Sequence, residues 1–369
     1  MSTREIASTL QYAYWVPNVS GGLVTSNVEQ RTDWGIDYNV RLAKHAEEAG
    51  FDYALSQVRY LGSYGADSQH ESVSFSLALL AATERLKVIA AVHPGFWQPG
   101  VLANLAATAS ELYGGRFALN VVSGWLRDEY IALGESWLAH QDRYERSAEF
   151  LQVVRKILTE ENVEFAGDHY RIRGYTASPR PKIVPELFQG GTSTAARRNG
   201  GLYSDWYFTN GAAPELIAEQ IREVREHADA AGREVKIGLN GFVILEDTEK
   251  EAKERLREIV EGANAEAVNA FRQSVKEAGA STGDGKGMWA DSSFEDLVQY
   301  NDGFKTKLIG TREQISERIE AYRKVGVDLI LTGFLHFDEE VQRFGREIIR
   351  NDTGRAPSPG ADPVLAGAR

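Results

Sequence analysis

The stretch "GGRFALNVVSGW" (114–125) carries one amide, Asn120, inside a run of Phe, Ala, Leu and Val that reads as a strand buried on both faces. In a parallel barrel the active site is built from the C-terminal ends of the strands and the loops that follow. An amide at that height can hydrogen-bond a ligand. The alternative is a polar core residue satisfied by neighbouring backbone. End-of-strand positions elsewhere are taken by Ser56, Arg59, His93, Asn210, Asn240 and His336. In "QGGTSTAARR" (189–198) a strand ends in two glycines, and Thr192, Ser193 and Thr194 open a helix. Free N–H groups and hydroxyls at a helix start can cradle a phosphate, unless the serine is only a cap. Upstream, "DRYERS" offers Arg143 and Tyr144, a cation and a phenol able to close over the same anion, or else an ordinary surface pair at a helix start.

Other chemistries lack their residues. The chain has no cysteine, which excludes disulfides, thiolate nucleophiles and Cys-ligated metals. There is no HExxH, no Walker lysine loop and no GxSxG elbow, and no carboxylate pair stands out as a glycosidase constellation. No metal site is expected. Seven tryptophans and fifteen tyrosines, many near strand ends, suit a flat aromatic ligand as well as they suit a core.

The elements that must position these groups alternate along the chain. Strand patterns fall at "QYAYWVP", "DYALS", "LKVIAAV", "RFALNVV", "ELFQGG", "DWYFTNG", "VKIGLNGFVIL" and "DLILTGF". Helical patterns lie between most of them, such as "YNVRLAKHAEEAG" with Gly50 as its stop. That alternation predicts an α/β fold, a (β/α)8 TIM barrel, with an open doubly wound sheet as the alternative. Two insertions are expected, after the fourth and seventh strands: a hairpin at "VEFAGDHYRIRGY" and the long segment 246–310. Within the latter, 281–307 is a candidate lid. Gly283, Gly285, Gly287 and Gly303 would let it move, and Trp289 and Phe304 would cover an apolar site. Residues 1–350 are expected to form one domain and 351–369, rich in Pro, Gly and Ala, a disordered tail.

The net charge of −12 argues against nucleic-acid binding. No apolar stretch reaches membrane-spanning length and no signal peptide is visible, so a cytoplasmic location is expected.

Long blocks of the chain, among them "YAYWVPNVSGGLVTSNVEQRTDWGIDYN", "LKVIAAVHPGFWQP", "NVVSGW", "LFQGGTS" and "FEDLVQYNDGFKTKLIGT", resemble the bacterial luciferase-like flavin-dependent monooxygenases over about residues 11–350. The resemblance implies the same barrel and an FMN cofactor, used as FMNH2. It implies a separate NAD(P)H-dependent FMN reductase as partner, O2 as co-substrate, and a homo-oligomer, dimer or tetramer. Carried over position by position, Val58, Arg59 and Asn120 would contact the flavin ring, Glu129 would be a further flavin contact, and Arg143, Tyr144 and Ser193 would meet its phosphate. Asn120, His93 and His336 would be the polar groups facing the reaction, with Trp97, Phe242 and Phe334 as apolar walls.

Departures from the alkanesulfonate-oxidising relatives bear on the substrate. Where those carry His, Arg, His and a lid Arg, this chain aligns Val19, Asn240, Phe242 and Asn301. A sulfonate anion needs cations, whereas a small neutral sulfone needs only weak donors. A small sulfone is therefore the expected substrate. Another neutral heteroatom compound (a pyrimidine or larger sulfone), a deazaflavin-dependent oxidoreductase and a non-catalytic flavin-binding relative are the alternatives.

Overall fold

The computed structural model describes residues 9–279, 289, 291–299 and 301–353. Its strands in chain order are β1 (Gln11–Val16), β2 (Tyr53–Ser56), β3 (Lys87–Val92), β4 (Phe117–Val121), β5 (Val163–Ala166), β6 (Arg171–Tyr175), β7 (Leu187–Gly190), β8 (Trp206–Thr209), β9 (Lys236–Phe242), β10 (Ile244–Leu245), β11 (Ile309–Gly310) and β12 (Leu329–Gly333). Eight of these close a parallel barrel in the order β1-β12-β9-β8-β7-β4-β3-β2, the architecture expected from the alternation. Closure is made by Gln11–Tyr14 in register with Leu329–Thr332. Strands so short can be apolar almost throughout because helices cover their outer faces. The helix Ile36–Ala49 stops as its sequence requires: Gly50 takes the left-handed conformation (φ 100°) and its N–H returns to the carbonyls of Ala46 and Glu47.

Alternate residues on each strand face the barrel axis. Ala13, Leu55, Ala91, Ala118, Phe188, Trp206, Phe208 and Leu331 belong to that inner cluster. Near the N-terminal end of the strands, Phe188 stacks on Trp206 at 5.3 Å, and Glu186 accepts from the Tyr53 hydroxyl (2.9 Å), Trp206 Nε1 (3.0 Å) and Lys87 Nζ (2.7 Å). Higher up, Phe208 fits only because Gly238 faces it: a Cβ there would lie 2.4 Å from the ring. The barrel is thus filled from below and leaves room only near its C-terminal mouth.

Both insertions are present. β5 and β6 form the antiparallel hairpin, and β10 pairs with β11 in parallel around the segment that separates β9 from β12. That segment holds the helices Glu249–Glu261 and Ala265–Gly279. The expected lid divides. Residues 280–288, 290 and 300, including Gly283, Gly285 and Gly287, lie outside the described residues. Of the remainder, 291–299 and 301–307 are built into the fold: Leu297, Val298, Gln299 and Thr306 are buried, and Phe304 packs edge-on against Phe242 at 5.2 Å. Gly303 marks a close approach and not a hinge, since a Cβ there would meet Gln299 Oε1 at 2.6 Å and Phe242 Cβ at 2.8 Å. At the other end, three residues expected in the disordered tail are helical. They belong to Arg350–Thr353, where Asp352 accepts from the Tyr12 hydroxyl at 2.9 Å; residues 354–369 lie outside the described ones. Among the described residues, no helix is long and apolar enough to cross a membrane.

Candidate active site at the barrel mouth

A pocket of about 150 Å³ sits where the strands end. Leu55, Ala91, Phe208 and Leu331 of the inner cluster line it together with Asn120, Trp15, Val58, Arg59, Asn210 and Asn240. Its aromatic wall joins three elements. Trp125, after β4, meets Phe271 of the helix Ala265–Gly279 at 5.5 Å and Trp289 at 5.8 Å, and Phe271 meets Trp289 at 5.2 Å. Trp289 holds a left-handed backbone (φ 66°), a conformation that bulky residues adopt rarely and that concentrates at functional sites. A wider depression of about 930 Å³ lies elsewhere, between the helices Glu249–Glu261 and Arg312–Val325. It is an open groove lined by residues of both charges, and it shares no lining residue with the pocket at the mouth.

Asn120 points inward, as the alternation on β4 requires, and its Oδ1 is buried without a hydrogen-bond partner. The Asn210 Nδ2 and Trp289 Nε1 of the same lining are also buried and unpartnered. Gln57 Nε2, in the same lining, is a fourth. Buried polar atoms are normally satisfied, so four such atoms around one pocket mark where a ligand with both donors and acceptors belongs. Asn240 is different. Its Oδ1 accepts from Trp15 Nε1 (2.5 Å) and its Nδ2 donates to the Asn301 carbonyl (2.9 Å), so this amide braces the wall. Arg59 is the only charged residue lining the pocket among the described residues; it lies over the Trp125 ring at 5.8 Å and donates to the Ser63 carbonyl at 3.2 Å.

The groups expected at the phosphate end gather behind Gly191. A Cβ on that residue (φ 139°) would fall 2.9 Å from the Tyr144 hydroxyl, and the Tyr144 phenol hydrogen-bonds Ser193. Burial raises the Tyr144 pKa, an effect that this bond and Arg143 only partly offset. Ser193 is also the cap of its helix, accepting from the Ala196 N–H at 3.2 Å, so the two readings of "GGTST" hold together. The Arg143 guanidinium is buried, lies 3.9 Å over the Trp137 ring and donates to the Leu138 carbonyl, while its Nε has no partner. Burial lowers its pKa.

Several expected residues stand elsewhere. Glu129 does not line the pocket. Its Oε1 accepts the N–H groups of Tyr60 and Leu61, the latter at 3.2 Å, and its Oε2 lies 3.4 Å from His93 Nε2. His93 Nδ1 donates to the Val122 carbonyl at 2.9 Å. The pair therefore ties the loop carrying Val58 and Arg59 to the ends of β3 and β4. Burial pushes the Glu129 carboxyl up, but His93 and the two N–H donors outweigh it and hold the pKa below the ordinary value. His336 is also structural: its Nδ1 accepts the Arg31 N–H at 3.1 Å, joining the loop after β1 to the helix after β12. Burial, then the charge of Arg31, lowers its pKa.

None of the three expected apolar walls lines the pocket. Phe334 follows the outward parity of β12, opposite to Leu329 and Leu331, and packs on Phe51, Phe337 and Phe344. Phe242 lies at the very end of β9, packed against Phe304, and Trp97 precedes the helix Pro99–Leu112. Ser56 faces outward too, accepting from Ser76 at 2.9 Å. Phe271 comes from the insertion, whose docking onto the mouth no local pattern announces. Strand parity marks Trp15 and Phe208, which share the inward face of Ala13 on β1 and Trp206 on β8.

The family model described as luciferase-like monooxygenase matches residues 10–329. The chain is 57% identical over 346 residues to an FMNH(2)-dependent dimethylsulfone monooxygenase of Pseudomonas putida, covering 93% of this chain and 95% of that one. It is 57% identical over 340 residues to the enzyme of the same description from Pseudomonas fluorescens (strain Pf0-1), with 92% and 93% covered. Among solved structures, a riboflavin lyase (RcaE) with modified FMN and riboflavin superposes with a TM-score of 0.81 at 21% identity, over 95% of this chain and 94% of that one. That last likeness is one of fold.

Proposed function

Because the chain belongs to the luciferase-like monooxygenase family, we propose that it is an FMNH2-dependent monooxygenase that converts dimethylsulfone and O2 to methanesulfinate and formaldehyde. FMN returns oxidised, and the second oxygen atom leaves as water. The observation that carries the reading is the pocket's chemistry: apolar and aromatic walls, unpaired neutral amides and a single cation, no carboxylate. Two relatives of that activity at 57% identity support it.

Bound reduced FMN supplies the electrons that activate O2. The chain's own part is to hold, orient and dry the reactants. Asn120 Oδ1 and Asn210 Nδ2 would hold the ring from the barrel mouth, the Gly190–Gly191 turn would leave room for its tail, and Tyr144, Ser193 and Arg143 would bind the phosphate. The pocket is smaller than the roughly 300–1,000 Å³ usual for drug-sized ligands, so the aromatic wall of Trp125, Phe271 and Trp289 must yield on binding and then close against water. Val58 and Arg59 are held for the ring by the Glu129–His93 pair. No proton transfer falls to His93 or His336. A separate NAD(P)H-dependent reductase feeds the site, and the homo-oligomer and cytoplasmic location belong to the same proposal.

Oxygen uptake tests it, with reduced FMN, FAD or a deazaflavin supplied in turn against dimethylsulfone, uracil and alkanesulfonates. Uptake coupled to product should occur with FMN and dimethylsulfone. A preference for a deazaflavin, or for uracil, would replace this reading with one of its alternatives.

A further inference from the structure

A second chamber, of about 330 Å³, adjoins the pocket and shares Gln57 and Arg59 with it. The loops after β1 and β2 form it, with Ser20, Thr25, Gln30 and Asn264 among its lining. Its character differs from that of the pocket. The Thr25 hydroxyl and Gln30 Oε1 are buried without partners, as is Gln57 Nε2 on the border with the pocket, and the Ser20 hydroxyl oxygen accepts from the N–H groups of Asp67 and Ser68, which leaves its own proton to donate. Among the described residues Arg59 is its only charged lining residue, and no carboxylate lines it, in a chain of net charge −12. One guanidinium therefore stands at the junction of two chambers, with the Ser20 and Thr25 hydroxyls on one side and the aromatic wall of Trp125, Phe271 and Trp289 on the other.

We propose that this chamber is a binding site for a small organic oxyanion, the sulfinate product, which leaves the apolar pocket past Arg59. The assignment rests on the proposed function. Turnover changes a neutral sulfone into an anion, and an unpaired anion in an apolar pocket is costly. A guanidinium offers an oxyanion paired donors, and hydroxyl and amide donors complete the set. The substrate, lacking charge, gains little from Arg59 and stays with the aromatic wall, so the two sites sort reactant from product by charge.

Calorimetric titration of methanesulfinate into the FMN-loaded protein tests this, with wild type, Arg59→Gln and Thr25→Val compared. Thr25 lines the second chamber and not the pocket, so its variant keeps the test independent of any effect of Arg59 on flavin. Saturable binding is expected, weakened at least tenfold by Arg59→Gln and severalfold by Thr25→Val, and undisturbed by saturating dimethylsulfone. Absence of binding, equal affinity in the variants, or displacement by dimethylsulfone or FMN would overturn the assignment. Inorganic phosphate binding as tightly would overturn the sulfinate assignment as well. Failure of the functional reading shows separately, as wild-type protein that takes up no oxygen with dimethylsulfone while sulfinate binding persists.

Discussion

At the scale of single residues, the unsatisfied atoms locate the chemistry. Asn120 Oδ1 is buried with nothing to accept, and supplying a ligand donor should be worth about 1 kcal/mol, the ordinary net value of one hydrogen bond. Asn120→Ala is expected to weaken FMN binding roughly fivefold, read by flavin fluorescence, with the melting temperature little changed. Arg143→Ala should cost FMN on the order of 1.5–3 kcal/mol, the range for charged partners, and leave riboflavin affinity as in wild type. A parallel loss of riboflavin binding would place Arg143 away from the phosphate. Glu129 makes a prediction of another kind. Its native pKa lies below its unfolded one, so its stabilisation is complete above the ordinary carboxylate range and is lost as pH falls through the lowered native value. Glu129→Gln should therefore lower stability at neutral pH by about 1.5–3 kcal/mol and flatten the acid limb of the stability curve, measured by denaturant unfolding from pH 7 to 3. An unchanged acid limb would remove the ion pair from the account.

At the scale of elements, the strands were legible and their decorations only partly so. Short apolar runs alternating with capped helices can close only a few ways, and the β4 parity that turns Asn120 inward is readable from "RFALNVV". The same parity, applied to β12, sends Phe334 outward into the Phe51–Phe344 cluster, a step that reading end-of-strand residues as pocket walls leaves out. His93 and His336 misled for a related reason. Near a strand end a histidine can face the mouth or join loops behind it, and only the partners, Glu129 and the Arg31 N–H, tell which. The insertion was recognised by its length, but its contribution of Phe271 and Trp289 to the site depends on long-range docking. Within the expected lid, 291–299 and 301–307 pack into the fold, and Trp289 joins the aromatic wall over the pocket. Trp289→Ala is expected to leave FMN affinity within about twofold, because one exposed edge of the ring contributes little beside the phosphate contacts. It should uncouple turnover, with hydrogen peroxide rising at the expense of methanesulfinate. Full product yield per flavin oxidised would show that the roof does not exclude water.

At the scale of the whole molecule, the barrel explains why one small pocket can carry the function. Aromatic and aliphatic layers fill the interior from Glu186 upward, and the charges that balance to −12 lie mostly outside. What remains at the mouth is a site poor in charge, flanked by a chamber with neutral donors and the shared Arg59. Val19 and Asn301, expected from the sequence to replace cations, line those two cavities; Asn240, expected likewise, braces Trp15, and Phe242 lies behind them. The substrate should therefore be neutral on entering and charged on leaving. The direct measurement is methanesulfinate and formaldehyde formed per FMNH2 oxidised, in a reductase-coupled assay with dimethylsulfone or methanesulfonate at equal concentration. The account predicts equal amounts of the two products from dimethylsulfone and almost no turnover of methanesulfonate. Methanesulfonate oxidised as fast as dimethylsulfone, or dimethylsulfone leaving both products absent, would contradict it.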